Sequence, residues 1–210
     1  MKPAAIGVRV HSGWGALVAV AGTPGAEEII ERTRIEITDP KMPGAVQPYH
    51  FVQSMDMRRA EQHIAKCAAA CSQLALEAIR ELLEQLQTRG YQIARSCILL
   101  SSGRPLPELA GILASHALIH TAEGEFFRNS FRDAFETLRI PVTGIRERDL
   151  PDQAQKRFGK AAAKVQERLA AMGRSLGPPW TTDQKTAALA ALIVLHQDAA
   201  EGGCSTLLID

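Results

Sequence analysis

The sequence has few aromatic residues, no paired cysteine motif, no excess of either charge and no long apolar run. Phe, Trp and Tyr make up 5% of the 210 residues, too few for the platform of stacked rings that binds single-stranded nucleic acid. Lys and Arg number 24 against 23 Asp and Glu, so the net charge of +1 creates no general attraction for phosphate backbones or anionic lipid. Any nucleic-acid binding must therefore come from a local basic patch.

The cysteines are few and scattered: Cys67, Cys71, Cys97 and Cys204. They form neither CxxC pairs nor the dense pattern of a small secreted scaffold, which indicates a reducing compartment and a cytoplasmic protein. Arg9 and His11 interrupt the apolar N-terminal stretch before it reaches the length of a signal-peptide core. No segment is long enough to span a bilayer, so we expect no membrane partner.

What is present is enough apolar sequence for a core, 46% against 22% charged, which favours one globular domain over residues 1–200 followed by a tail at 201–210. Runs rich in β-branched residues predict strands at 5–11, 15–21, 28–38, 93–101 and 140–145. Apolar residues at steps of three and four predict helices at 56–88, 108–120, 121–138, 152–172 and from Thr181 onward. The stretch 39–55, with three prolines and a glycine, is predicted to be a long surface connection.

This order of elements predicts an α/β fold with one mixed five-stranded sheet. Three antiparallel strands come first, two further strands follow, and helices cover both faces. The continuous apolar run at 97–100 requires burial on both faces, so the fourth strand should be central. Ribonuclease H-like domains are built in this way.

Several stretches resemble Holliday-junction resolvases of the RuvC type. They are IGVRVHSGWGALV at 6–18, GEFFRNSFRDAFETLRIPVTGIRERDL at 124–150, GKAAAKVQ at 159–166 and DQKTAALAALIVLH at 183–196. Each motif is weak alone, but they occur in the family's order with similar spacing. The resemblance implies a ribonuclease H-like fold, a homodimer, and nucleic acid or another phosphate-bearing ligand as partner.

In that family four carboxylates hold two Mg²⁺ ions that cleave a phosphodiester. Here the resemblance puts Arg9, Ser101 and Thr186 at three of those positions and retains Asp183. One carboxylate cannot hold two metal ions. We therefore expect no metal site, no cofactor and no two-metal cleavage.

The candidate site residues are His11, His50, Glu123 and Asp183. The resembled fold would bring His11 and Asp183 into one cleft, with His50 or Glu123 at its rim, where imidazole suits proton transfer. An anion-binding pocket is an alternative use of the same sheet edge. Its members would be Arg9, His11, Ser12, Ser101 and Arg104.

Plain structural roles compete with these functional ones. Asp183 fits the first turn of a helix capped by Thr181 and Gln184, and Thr121 could cap a helix that begins just before Glu123. His116 and His120 lie four residues apart and, with Glu123, could form a ligand set if the helix continued through Thr121.

A stripe of histidine and cysteine and a basic stretch also have both a functional and a structural interpretation. His63, Cys67 and Cys71 follow one another at steps of four, which suits zinc, but the stripe is also the apolar face of its helix, and core packing is favoured. Residues 146–174 hold eight basic side chains against four acidic ones. This charge could form a nucleic-acid face, although mixed-sign helices are more often simply solvated.

Two functions remain open. The first is a binding or interaction module with a degenerate metal site. The second is an enzyme whose acid–base or single-metal site is rebuilt from His11, His50, Glu123 and Asp183. Convergence of those four side chains would favour the enzyme.

Overall fold

The computed structural model describes residues 1–101 and 105–197. The predicted C-terminal tail at 201–210 lies outside the described residues, as do Arg104 and Cys204.

Five strands form one mixed sheet. They are β1 (Lys2–His11), β2 (Trp14–Thr23), β3 (Ala26–Glu36), β4 (Tyr91–Leu100) and β5 (Val142–Arg146), in the order β3-β2-β1-β4-β5. β1 pairs antiparallel with β2, and β2 with β3, whereas β4 is parallel to both β1 and β5. The predicted ribonuclease H-like α/β class is confirmed by this order and these directions.

The central strands are apolar on both faces because helices cover both sides. Ile98 and Leu99 of β4 are buried between β1 and β5, so the predicted central position of this strand is confirmed. The helices are α1 (Pro48–Val52), α2 (Met57–Thr88), α3 (Leu109–Leu113), α4 (His116–Thr137), α5 (Leu150–Phe158), α6 (Ala162–Leu176) and α7 (Thr182–Leu195).

The core is divided into two layers by the sheet. One layer packs α2 and α4 against Ile6, Val8 and Leu17, and the other packs α5, α6 and α7 against Val18 and Val20. The alternation of side chains along each strand produces this division.

Helix α7 lies unusually close to β1. A Cβ atom added to Gly7 would stand 1.9 Å from the carbonyl oxygen of Ala187, so only glycine fits at this point. Small residues along α7, among them Ala187, Ala188 and Ala191, are fully buried against the sheet. This close approach fixes the position of the N-terminus of α7, which carries Asp183.

Several predicted boundaries were wrong. The helix break expected at Thr121 is absent, because its hydroxyl donates to the carbonyl oxygen of Ala117 within α4 and the buried face continues through Ile119, Ala122 and Phe126. The single helix expected at 152–172 is two, since Gly159 ends α5 with a positive φ of 52°. The loop at 39–55 contains the short helix α1.

Within residues 1–101 and 105–197, none of the helices combines the length and apolar character that crossing a bilayer requires.

Candidate functional site

Charged side chains and a histidine lie close together where three parallel strands end. Because β1, β4 and β5 run in the same direction, their carboxyl ends share one edge of the sheet, the usual place for sites in such folds. Arg9 and His11 belong to the end of β1, Glu147 directly follows β5, and Asp183 lies in the first turn of α7. These four residues are called the arginine–carboxylate cluster below.

Arg9 bridges the two carboxylates of this cluster. Its Nη1 donates to Oδ1 of Asp183, and its Nη2 donates to Oε1 of Glu147 at 2.7 Å. Partial burial works against the charge of Arg9, but hydrogen bonds and charge attraction from Glu147 and Asp183 outweigh it and raise the pKa of Arg9 above its ordinary value. The guanidinium is therefore held as a fixed cation between two acids.

His11 completes the cluster from the side. Its Nε2 lies 3.2 Å from Oδ2 of Asp183 and has no hydrogen-bond partner among the described residues, so the contact is one of charge when the ring is protonated. The ring stacks on Trp14 with centroids 4.2 Å apart. The structure thus brings His11 and Asp183 together, as the sequence analysis expected.

Asp183 is not needed as the cap of α7. The capping box is made by Thr181 and Gln184, each of which accepts from the backbone N–H of the other. Asp183 turns both carboxylate oxygens towards Arg9 and His11 instead. The start of α7 is therefore capped without Asp183, and the orientation of Asp183 is explained by its contacts with Arg9 and His11.

The positions that the resemblance marks as lost carboxylates have other partners. Ser101 accepts from Arg128 at 2.8 Å, and Thr186 donates to the carbonyl oxygen of Thr182 at 2.7 Å. The anion pocket is not supported, because the guanidinium of Arg9 is already occupied by Glu147 and Asp183.

A second group of side chains joins α1 to the start of α4. His50 of α1 donates its backbone N–H to Oε1 of Glu123 at 3.2 Å, and its Nδ1 lies 2.9 Å from the same oxygen. The Glu123 side chain is 5% exposed, which is rare for a carboxylate without a permanent cation. Burial and the charge of Glu123 raise the pKa of the neighbouring Tyr49.

His116 and His120 face the same point from α4. Their Nε2 atoms are 3.0 Å apart, and the ring centroid of His50 lies 5.2 Å from that of His116 and 4.8 Å from that of His120. One ring nitrogen of each histidine lies within 4.8 Å of those of the other two. His50, His116 and His120 are called the histidine cluster below, with Glu123 as its buried partner.

The four predicted site residues therefore form two pairs, His11 with Asp183 and His50 with Glu123. Within residues 1–101 and 105–197, no hydrogen bond or ion pair joins one pair to the other. Placement of His50 or Glu123 at the rim of a cleft around His11 stays a prediction.

Sequence reasoning missed two features of these clusters. Glu147 was not singled out, although an acid directly after a strand that ends at the shared sheet edge was a usable signal. The convergence of His50 with His116 and His120 was missed because no local pattern brings the connection at 39–55 against that helix. The break expected at Thr121 separated only Glu123 from the two histidines.

The cysteine stripe belongs to the core. Cys67 and Cys71 are buried, and burial raises the pKa of the Cys71 thiol to about 12. Both side chains pack within the apolar core on this side of the sheet, the role that the sequence pattern favoured. His63 approaches the sulfur of Cys67 at 3.4 Å, a contact that needs no metal.

No protein-family model matches the sequence, and no curated protein matches it. Solved structures of RuvC from Thermus thermophilus are similar to the chain. One shares 12% identity at a TM-score of 0.48, covering 90% of this chain and 92% of that one. Another, described as RuvC in complex with a Holliday junction substrate, shares 12% identity at a TM-score of 0.49, covering 95% and 96%.

Proposed function

We propose that the chain is a ribonuclease H-like domain that binds nucleic acid but does not cleave it by a two-metal mechanism. The observation that carries this proposal is the bridge that Arg9 makes between Glu147 and Asp183. A guanidinium is permanently charged, and here it occupies one oxygen of each of the two acids that a metal ion would otherwise bind. A divalent ion would have to displace it and would then find too few carboxylates for a two-metal site.

The binding surface proposed is formed by the exposed lysines that run from α5 to α6. Three of the arginines in this part of the chain are engaged by acids, Arg146 and Arg148 by Asp149 and Arg168 by Glu27. The lysines differ: they are exposed, and no ion pair holds them in the described part of the chain. They are Lys156, Lys160 and Lys164. Such lysines suit contacts to phosphate, which supply most of the sequence-independent affinity for nucleic acid.

Fluorescence anisotropy with labelled duplex, single-stranded and four-way-junction DNA tests the binding. The variant Lys160→Gln/Lys164→Gln should bind about tenfold more weakly, and its slope of log K against log salt should fall by about 2. The control Lys41→Gln/Lys66→Gln removes the same charge from exposed lysines elsewhere and should bind like the wild type. Equal loss in both variants, or no binding by the wild type, would contradict this function.

Incubation of the same DNA substrates with Mg²⁺ or Mn²⁺ tests the absence of cleavage. We expect intact DNA from the wild-type protein at any ratio of protein to substrate. Cleavage that disappears in Asp183→Asn would show that the carboxylates work as a nuclease site despite Arg9.

An enzyme with a relocated site is the second candidate, favoured by the buried Glu123 against the His50 ring. A buried carboxylate that orients an imidazole is an arrangement used in general acid–base catalysis. Hydrolysis of small phosphate and carboxylate esters, lost in His50→Gln but kept in His63→Gln, would support it. No turnover by the wild type would count against it.

A homodimer in a reducing compartment is part of the same proposal. The thiols of Cys67, Cys71 and Cys97 are free and buried, which suits such a compartment. Sedimentation equilibrium should report twice the mass of one chain, and a monomer at micromolar concentration would contradict the dimer.

A further inference from the structure

We propose that His50, His116 and His120 form a binding site for one divalent transition-metal ion of the zinc type, with Glu123 orienting His50. Imidazole nitrogen is a preferred ligand of Zn²⁺, Co²⁺, Ni²⁺ and Cu²⁺. The site is separate from the arginine–carboxylate cluster and does not depend on the proposed nucleic-acid binding.

The geometry of the three nitrogens suits such an ion. Bonds from zinc to nitrogen of about 2.0–2.1 Å in a tetrahedron place neighbouring nitrogens about 3.3 Å apart. The Nε2 atoms of His116 and His120 are 3.0 Å apart, and all three ligand nitrogens lie within 4.8 Å of one another.

The spacing on α4 supports the same conclusion. His116 and His120 are four residues apart in a continuous helix, which stacks both rings on one face, as in helical zinc sites that use two histidines at this spacing. His50 comes from α1, a different element. A metal ion would thus fasten the connection between β3 and α2 to the first turn of α4.

Glu123 is the second observation that points to a metal. A histidine that binds a metal commonly donates its other ring nitrogen to a carboxylate, which fixes the tautomer and makes the ligand nitrogen more basic. Nδ1 of His50 is 2.9 Å from Oε1 of Glu123, so Nε2 is the nitrogen left to ligate. The buried negative charge of Glu123 would also be balanced by the ion.

The cluster offers three protein ligands and leaves a fourth position. His116 and His120 are exposed, so this position faces solvent and would take a water molecule. Three protein ligands with a bound water are typical of zinc sites that do more than hold a fold together.

Calorimetric titration of chelator-treated full-length protein with ZnCl₂ tests the site. We expect one ion per chain and, at zinc concentrations about a hundredfold above Kd, a rise in Tm of about 5–10 °C. His116→Ala and His120→Ala change exposed side chains and should each weaken binding at least about a hundredfold. Circular dichroism will show that both variants remain folded.

The control is His63→Ala, which removes an imidazole outside the cluster, beside Cys67. It should bind zinc like the wild type. Loss of zinc in His63→Ala with retention in His116→Ala would overturn the proposal in favour of the cysteine stripe. Absence of zinc binding by the wild type would also overturn it.

The role of Glu123 has a readout of its own. Glu123→Gln keeps the shape of the side chain and should lower zinc affinity about 10–100-fold without abolishing it. Co²⁺ in place of Zn²⁺ should show the intense visible bands of a tetrahedral complex in the wild type, shifted in Glu123→Gln and lost in His120→Ala. Identical cobalt spectra in all three proteins would contradict the site. DNA binding by the lysine variants is measured separately, so failure of either proposal is recognisable.

Discussion

The arginine–carboxylate cluster and the histidine cluster differ in the group that balances the negative charge of their carboxylates. In the first, the acids Glu147 and Asp183 face a cation that the chain itself supplies, Arg9. In the second, the buried acid Glu123 is paired, among the described residues, with the ring of His50. A guanidinium cannot be removed by a change of pH or replaced easily by a metal ion, whereas neutral imidazoles are ready ligands. We therefore expect the sheet edge to exclude cations and the start of α4 to accept them.

The largest loss of stability is expected from a substitution that displaces α7 from β1. Gly7→Ala should cost about 3 kcal/mol of unfolding free energy, because the new Cβ would meet the backbone of Ala187. Arg9 and Asp183 should separate, whereas the zinc affinity of the histidine cluster should persist in the folded fraction. Urea denaturation and calorimetry measure the two effects.

The matched control is Gly144→Ala in β5, whose added Cβ would meet only the flexible side chain of Leu100. It should cost under about 1 kcal/mol. Equal losses in the two glycine variants would contradict the close contact between α7 and β1.

Removal of Glu123 should have the next largest effect. Glu123→Ala deletes a buried acceptor of two bonds from His50 and should cost about 2 kcal/mol, because the donors lose their partner. Glu136→Ala on the exposed face of the same helix should change stability by under about 0.5 kcal/mol. Denaturant unfolding without metal measures the stability of both variants. If Glu123→Ala has the stability of the wild type, the bonds from His50 to Glu123 do not stabilise the fold.

Removal of the fixed cation should make the first cluster resemble the second. Arg9→Gln should cost about 1 kcal/mol, since the bridge is only partly buried. The freed carboxylates of Glu147 and Asp183 should then respond to divalent ions: Mg²⁺ or Mn²⁺ should raise the Tm of Arg9→Gln by a few degrees and leave that of the wild type unchanged. A wild-type Tm that rises equally would show that Arg9 does not exclude cations.

The buried thiols should show the smallest effect, because alkylating reagents should hardly modify them in the native protein. Burial raises the pKa of both Cys71 and Cys97 to about 12, so at about pH 8 only about one thiol in ten thousand is ionised. Peptide mapping after alkylation should find both unmodified in the native protein and fully modified in denaturant. Rapid native labelling of Cys71 would reopen the cysteine stripe as a zinc site.

The sequence predicted the sheet better than the sites. Strands are recognisable from local patterns, and the apolar run around Ile98 was enough to place β4 inside the sheet and not at its edge. The approach of Asp183 to His11 was predictable only through the resemblance, because no local pattern links the first strand to the last helix. The histidine cluster was predicted only in part: His116, His120 and Glu123 were named as a ligand set if the helix continued through Thr121, as it does. The approach of His50 was missed, since it depends on α1 folding back onto α4.

The contact between Arg9 and Asp183 joins residues separated by 174 positions in the chain. During synthesis the first strands leave the ribosome long before α7, which ends at Leu195, and the face of the sheet that α7 covers together with α5 and α6 stays incompletely covered until then. The buried surfaces of Val18 and Val20 belong to that layer, so the nascent chain exposes part of an apolar face until α7 is made. A stop codon before α7 should therefore yield an insoluble fragment or one bound to chaperones, even though all five strands would be present.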